Sequence, residues 1–529
     1  MPTYLSPGVY VQEIEAATRP IEGVGTAVAA FVGMAPKGPE NAPTLVSNWT
    51  QFVDTFGGLY PGAYLAYAVY GYFLNGGGNC YVVRIGTASA GGGGGGGGKG
   101  ASKRGEPKQL AATGPATAAV GNYVFTAKNA SPNAKPISVE VAEPGGEDPE
   151  EGAFKVVITV DGRAPETYEQ VSPKPDSAAY VVTKITADSK LVTVEELDPA
   201  SAGVTPRPGT FDLAVPEPEE QPIVLDGISA ANYIGSPADR TGFGGLEEVE
   251  EITMVAVPDL MAAYEQGVVT LEVVKSVQLA VIAHCELMGD RMAILDAPPN
   301  LSAQEVREWR RTGAGYDSKF ATLYYPWIKV LDPVTSTNRF MPPSGHMAGV
   351  WARNDAERGV HKAPANEVVR GAVELQTQLT RTEQELLNPI GINAIRAFPG
   401  RGIRVWGART LSSDAAWRYV NIRRLFNYLE KSILGATQFA VFEPNDEALW
   451  GKLRRSISAF LVNEWRKGAL FGATADQAFF VKCDDETNPA EVIDAGQVVC
   501  QIGVAPVKPA EFVIFELSQF SGGTSLVNE

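Results

Sequence analysis

Chemistry in this chain would have to start from three histidines, four cysteines and a run of glycines, and none of them falls in a pattern that performs it. His284 lies in the apolar stretch AVIAHCEL and reads as a core or helix-end histidine rather than a ligand. His346 and His361 fall in loop-like stretches fifteen residues apart, with neither an HExxH pair nor a nearby cysteine, so metal-ligand spacing is missing. Cys80, Cys285, Cys483 and Cys500 are widely spaced without a CxxC pair, which indicates neither a thiolate zinc site nor a disulfide framework. The glycines of 91–98 run into Lys99 and Gly100, where a phosphate-cradling loop needs Lys followed by Ser or Thr and then a helix. They read as a flexible linker. Ser344 in MPPSGHM and Ser521 in FSGGTS lack the glycine pattern of a nucleophile elbow. Carboxylate pairs such as EEVEE at 247–251 are too abundant to single one out, and a solvated surface accounts for them. The expectation is a protein with no catalytic residues, no cofactor and no metal.

The elements that would have to position any site are those of a large globular chain. At 529 residues it exceeds one ordinary core, and with 44% hydrophobic and 20% charged residues it can build several. MPTYLSPGVY lacks the basic start and apolar core of a signal peptide, and no run of about 18 apolar residues exists to cross a bilayer. The chain is therefore expected to be made and kept in the cytosol unless a larger apparatus carries it out. A net charge of −17 argues against unaided binding to nucleic acid or an anionic membrane. The charge is unevenly spread: residues 141–260 carry 24 acidic against 7 basic residues, and residues 401–470 carry 12 basic against 6 acidic.

Residues 22–86 read as a compact α/β start, with GTAVAAFVG and NCYVVRIG as strands and two helices between them, the first opened by Asn48 or Thr50. Between 120 and 225 short pieces (NYVFTAK, AFKVVITVDG, AAYVVTKIT, KLVTVEEL) alternate with Pro, Gly and acidic residues, as in a small all-β insertion. The α/β pattern resumes near 245 with ITMVAVPDL, a helix through VKSVQLAVIAHCELMG and the strand RMAILDAPP. The last third is helical: Asn366 is placed to cap a helix running to Asn388, Ser413 or Asp414 a second, and Asn445 a third. On that third helix Lys452 and Arg455 share a face, with Arg454 beside them.

Two terminal stretches stand apart. EFVIFELSQF at 511–520 holds Phe512, Val513, Ile514 and Phe515 in a row, with Leu517 on the side of Val513 and Phe515, and it follows a spacer stiffened by Pro506 and Pro509. At the other end, a Pro-Gly turn precedes a run in which Val9 and Val11 face one way and Tyr10 and Ile14 the other. Both read as detachable strands, and an apolar strand without a sheet is a liability unless an edge accepts it.

From Tyr324, the stretch YYPWIKVLDPVTSTNRFMPPSGHMAGVWARNDAERGVHKAPAN closely resembles the contractile tail sheath family of myophages and phage-tail-like injection systems. In that family a YYPW-like strand, a PPSG turn, an AGVWAR-like helix and a GVxKAPAN segment follow in this order. YLSPGVYVQEI, TMVAVPDL, GIRVWGARTL and WRYVNIRRLF add to the resemblance, which spans about the first 86 residues and most of 245–520.

The resemblance implies an α/β (α+β) multidomain protein: an N-terminal arm (1–22), a middle α/β domain (23–86 plus 241–364), an inserted β-rich acidic outer domain (87–240), an inner helical/β domain facing a tube (365–505) and a C-terminal arm (506–529). It implies a structural subunit that polymerises helically around an inner tube and contracts to drive that tube through a target envelope. The terminal strands would be donated to neighbouring subunits, and Lys452, Arg454, Arg455, Arg466 and Lys467 would face the tube. The partners would be further copies of the chain, the inner tube protein, baseplate and terminal cap proteins and, where one exists, a recycling AAA+ ATPase. Assembly would take place in the bacterial cytoplasm, into a phage tail or a phage-tail-like particle. A static tube or shell protein and a soluble cofactor-binding α/β enzyme are the alternatives.

Overall fold

The computed structural model describes residues 21–515 apart from 61, 86–115, 129–136, 146–149, 151, 161–163, 198–202, 214–226 and 333–336. They form two compact units, Met1–Ala90 with Pro222–Glu529, and Gly91–Gln221.

The first unit is organised on an eight-stranded sheet in the order Gly402–Val405, Ile392–Phe398, Ala321–Tyr325, Met292–Asp296, Met254–Ala256, Ala29–Gly33, Cys80–Arg84, Thr44–Val46. The six inner strands are parallel, and each edge strand is antiparallel to its neighbour. Parallel strands buried on both faces read as continuous apolar runs, and Ala29–Gly33, Met292–Asp296 and Ala321–Tyr325 are buried at every position. Ala29–Gly33 pairs with Cys80–Arg84 on one side and Met254–Ala256 on the other, and the second unit is inserted in the chain between those two neighbours.

Two helices over this sheet begin on carboxylates distant in sequence, Asp259 at the start of the helix Asp259–Glu265 and Asp296 at the end of the strand Met292–Asp296. The Leu65–Leu74 helix has no side-chain cap of its own. Asp259 serves instead, accepting from the backbone N–H groups of Tyr64, Leu65 (3.0 Å) and Met34 (2.6 Å). The Ser344–Arg358 helix starts on Asp296, which accepts from Ser344 N at 2.9 Å and Ser344 Oγ at 2.6 Å. Burial pushes the Asp259 carboxyl up to about 6 and the Asp296 carboxyl up to about 7, against these hydrogen bonds. The helices approach each other closely through glycine: a Cβ on Gly345 would lie 2.4 Å from the Ala68 backbone, and one on Gly349 2.4 Å from the Tyr72 carbonyl oxygen.

Several local expectations are corrected. Asn366 does not cap a helix; it adopts φ +60° in a turn, and the chain goes on to the strand Ala372–Leu375 before a short helix, Arg381–Leu387, capped by Thr380 and Glu383. Asp446, not Asn445, caps Glu447–Arg466, while Asn445 accepts from the Trp450 indole N–H. Neither Ser413 nor Asp414 opens the long helix: Asp414 caps only the turn Ala415–Trp417, and the helix itself is Val420–Ala436. His346 sits in the first turn of the Ser344–Arg358 helix rather than in a loop. AAYVVTKIT, read as a β piece, contains the helix Val181–Asp188, because Val181 and Ile185 one turn apart face the core and packing overrides β-propensity.

The second unit has a four-stranded antiparallel sheet (Gly209–Asp212, Ile137–Ala142, Phe154–Val160, Glu166–Val171) and a three-stranded one (Thr117–Val120, Tyr123–Ala127, Val192–Glu196), which share one core with the Val181–Asp188 helix. It ends at Gln221 rather than 240, since Tyr233 packs in the core of the first unit. The middle domain likewise runs past 364, because Ile392–Phe398 and Gly402–Val405 are strands of the central sheet. Beyond them Val420–Ala436, Glu447–Arg466 and a two-stranded sheet, Phe479–Lys482 with Gln501–Val504, gather around two smaller cores.

Candidate assembly interface

The last described residues, 506–515, are held to the body by a clamp. Val507 donates its N–H to the Ala469 carbonyl, and its own carbonyl accepts from Asn421 Nδ2. Four residues later Glu511 accepts from Arg409 Nε at 2.9 Å and Nη2 at 2.6 Å, Asn388 Nδ2 at 2.7 Å and Tyr419 Oη at 3.0 Å. Burial raises the Glu511 pKa, but the Arg409 pair and the Asn388 and Tyr419 hydrogen bonds outweigh it and hold the carboxyl below its usual range. Immediately past this clamp Phe512, Val513, Ile514 and Phe515 are 73%, 69%, 82% and 84% exposed and belong to no strand of their own chain. Four consecutive large apolar side chains are thus left exposed next to a fixed carboxylate.

The first described residues, from Ile21 on, are tied to the same part of the body. Ile21 packs with Leu425 and Leu429, Val24 N donates to Ser432 Oγ at 3.1 Å, and Gly23 passes so close to Tyr428 that a Cβ there would lie 2.0 Å from the phenol oxygen. Thr26 Oγ1 donates to Asp355 at 2.6 Å. Asp355 in turn receives both guanidinium arms of Arg424, at 2.8 and 2.5 Å, with each partner's side chain 4% exposed. The Val420–Ala436 helix thus holds both ends of the described chain, through Arg424, Tyr428 and Ser432 near residues 21–26 and through Asn421 at Val507.

Val9, Tyr10, Val11, Ile14 and Leu517 lie outside the described residues. The basic residues at 452–467 do not form one patch. On the Glu447–Arg466 helix, Lys452, Arg455 and Arg466 line up, since the eleven residues from 455 to 466 make about three turns. Arg455 and Arg466 are exposed and have no acidic side chain within ion-pair distance among the described residues. Lys452 Nζ instead sits 4.2 Å over the Phe439 ring, Arg454 donates to the Cys483 carbonyl at 2.9 Å, and Lys467 pairs with Glu464 at 2.7 Å.

His284 and His346 are both buried, and burial pushes each down to about 4, so they are neutral core groups at pH 7. Among the described residues no three His, Cys, Asp or Glu side chains gather as a metal site, and no helix is long and apolar enough to cross a membrane. Sequence reasoning missed Glu511, Arg409, Asn388, Tyr419, Asp355 and Arg424. Glu511 and Arg409 stand 102 positions apart, so no local spacing could have paired them.

Comparison with known proteins places this architecture. Residues 228–411 match the phage tail sheath protein central domain, and residues 412–520 match the phage tail sheath C-terminal domain. The tail sheath protein of Burkholderia phage BcepMu is 26% identical over 96% of this chain and 95% of its own length. That of Vibrio phage KVP40 is 33% identical, but over 34% of this chain and 27% of its own. The fold matches the sheath of an extracellular contractile injection system (PVC) in its contracted state, with TM-score 0.58, 24% identity and 98% and 99% of the two chains covered. It also matches the contracted helical sheath of the anti-feeding prophage (TM-score 0.56, 24% identity, 98% and 100% covered). The molecule is thus a structural component of a phage tail or phage-tail-like particle. The chain belongs to the contractile tail sheath family and is a sheath subunit.

Proposed function

We propose that the subunit polymerises by donating its two terminal strands to neighbouring copies, Val9, Tyr10, Val11 and Ile14 from one end and Phe512, Val513, Ile514, Phe515 and Leu517 from the other. The observation that carries this reading is the exposed apolar run 512–515 beginning at the Glu511 clamp. The acceptor is the two-stranded sheet Phe479–Lys482/Gln501–Val504, on which Phe480 and Ile502 are exposed. Two strands alone are marginal in water, and added strands would complete the sheet by β-augmentation. Each large side chain so buried gains roughly 1.5–3 kcal/mol before ordering costs, and a head-to-tail contact that does not close propagates as a helix.

On this reading the sheath wraps an inner tube, and of Lys452, Arg454, Arg455, Arg466 and Lys467 it is the exposed Arg455 and Arg466 that face it, since the other three are engaged within the subunit. Contraction slides the rigid bodies into a wider lattice while the hooked arms reorient, driving the tube forward without nucleotide hydrolysis in the stroke. The particle would be assembled in the cytoplasm with baseplate and cap proteins, and a recycling AAA+ ATPase would act on the contracted state where one exists. Val513→Asp with Phe515→Asp tests the donation. The variant is expected to remain a folded monomer at concentrations where wild type forms tubes under the electron microscope; tubes of normal length from the variant would overturn the reading.

A further inference from the structure

The two-stranded sheet pairs Phe479 with Val504, Phe480 with Gly503, Val481 with Ile502 and Lys482 with Gln501. The ladder ends at Lys482 and Gln501, and its register continued one step sets Cys483 opposite Cys500. Both thiols belong to the small core around Leu449, Trp450 and Leu453. Cys500 packs against the cluster that contains Cys483. Directly opposed residues of an antiparallel pair have Cα atoms about 4.5–5.5 Å apart, inside the span of about 4.4–6.8 Å that a disulfide bridges. Access is one-sided: Cys483 is fully buried, whereas Cys500 is partly open.

We propose that Cys483 and Cys500 are a redox-closable staple, joined by thiol–disulfide exchange with a small-molecule disulfide. The Cys500 thiolate attacks one sulfur of the small disulfide, forming a mixed disulfide and releasing one small thiol. Cys483 then gives up its proton and attacks the Cys500 sulfur, forming the Cys483–Cys500 bond and releasing the second small thiol. Two protein thiols are oxidised, one small disulfide is reduced to two thiols, and both protons leave on them. Burial pushes the Cys500 thiol up to about 12 and raises Cys483 as well, so closure is slow near neutral pH and accelerates as pH rises. The bond would close the 483–500 segment, including the short helix Ala490–Asp494, across the base of the sheet. In a reducing compartment the thiols persist and the sheet stays adjustable; in an oxidising one it is locked. That this locks the strand-accepting sheet rests on the assembly reading above, whereas the exchange itself does not.

The test uses the full chain, held with oxidised glutathione at pH 8.5 and then denatured, alkylated and digested. No Lys or Arg lies between 482 and 508, so trypsin leaves both cysteines on one peptide. That peptide is expected to lose two hydrogens and resist alkylation until reduced, while Cys80 and Cys285 alkylate fully. Cys483→Ser is expected to stop at a glutathione adduct on Cys500. A persistent adduct in the wild-type chain, or two alkylatable thiols, would overturn the proposal. Electron microscopy of the same chain before oxidation separates the two ideas: a chain that closes on oxidation but forms no tubes when reduced contradicts the assembly reading alone, and one that forms tubes without closing on oxidation contradicts the staple alone.

Discussion

Asp296 and His346 illustrate how single buried groups set this protein's response to acid. Burial raises Asp259 to about 6 and Asp296 to about 7, above their unfolded values near 4. Between those limits the folded state binds more protons than the unfolded one, so their contribution to stability grows as pH falls. His284 and His346 are depressed to about 4 from near 6.5, and over that window the unfolded state binds the extra protons, so their contribution shrinks as pH falls. The two trends oppose each other, and the net dependence from pH 6.5 to 4.5 is expected to be shallow. Asp296→Asn should therefore make melting temperature fall on acidification and His346→Gln should make it rise, as read by thermal denaturation at the two pH values; identical profiles for both variants would refute the assignment. Gly345→Ala places a methyl against the Ala68 backbone and is expected to cost about 1–3 kcal/mol by overpacking, measured by urea unfolding. Glu511→Gln keeps the side chain's shape while removing the charge that Arg409 grips. The subunit should stay folded by circular dichroism, with a critical concentration for assembly raised roughly tenfold, or about 1.4 kcal/mol.

At the scale of elements, the Val420–Ala436 helix matters most because it belongs to both the central core, through Val420, and a smaller one, through Leu425 and Leu429. Asp355→Ala would leave the Arg424 guanidinium buried without its carboxylate, and a loss of about 3–5 kcal/mol is expected together with release of the N-terminal arm root, visible as faster amide exchange at 24–26. Four strands of the central sheet, Ala29–Gly33, Cys80–Arg84, Met254–Ala256 and Met292–Asp296, were legible in the sequence, because an apolar run such as RMAILD or a stop such as Gly289 is a local signal, whereas Ile392–Phe398 and Gly402–Val405 fell in a stretch read as helical. What failed was capping and β-propensity in particular places. Asn366 looks like an N-cap but follows Pro364 into a left-handed turn, and the β-branched VVTKIT became a helix on the strength of two core contacts. The arm segments were legible as apolar runs, but the clamp that aims one of them was not, since its parts come from four separate stretches of chain. The cysteine pairing was hidden for the same reason: Cys483 and Cys500 meet only once the strands after 478 and before 505 are in register.

The whole molecule divides its labour between a sheath body and an insertion. Residues 91–221 have a core of their own, and as an isolated fragment they are expected to melt cooperatively; a non-cooperative transition would mean that the body is needed to fold them. The basic stripe on the Glu447–Arg466 helix belongs to the body, and Arg455→Glu with Arg466→Glu should give sheath that polymerises alone but fails to dress tubes, as judged by co-sedimentation. Strand donation remains the central claim, because it accounts for a subunit that fixes Glu511 and then leaves four large apolar residues exposed. The most direct measurement is a cryo-electron-microscopy map of the homopolymer that traces residues 505–520 of each subunit. The account predicts 512–517 running as a strand along the 479–482/501–504 sheet of a neighbouring copy, whereas the same segment paired within its own subunit, or left unpaired in the assembled lattice, would contradict it.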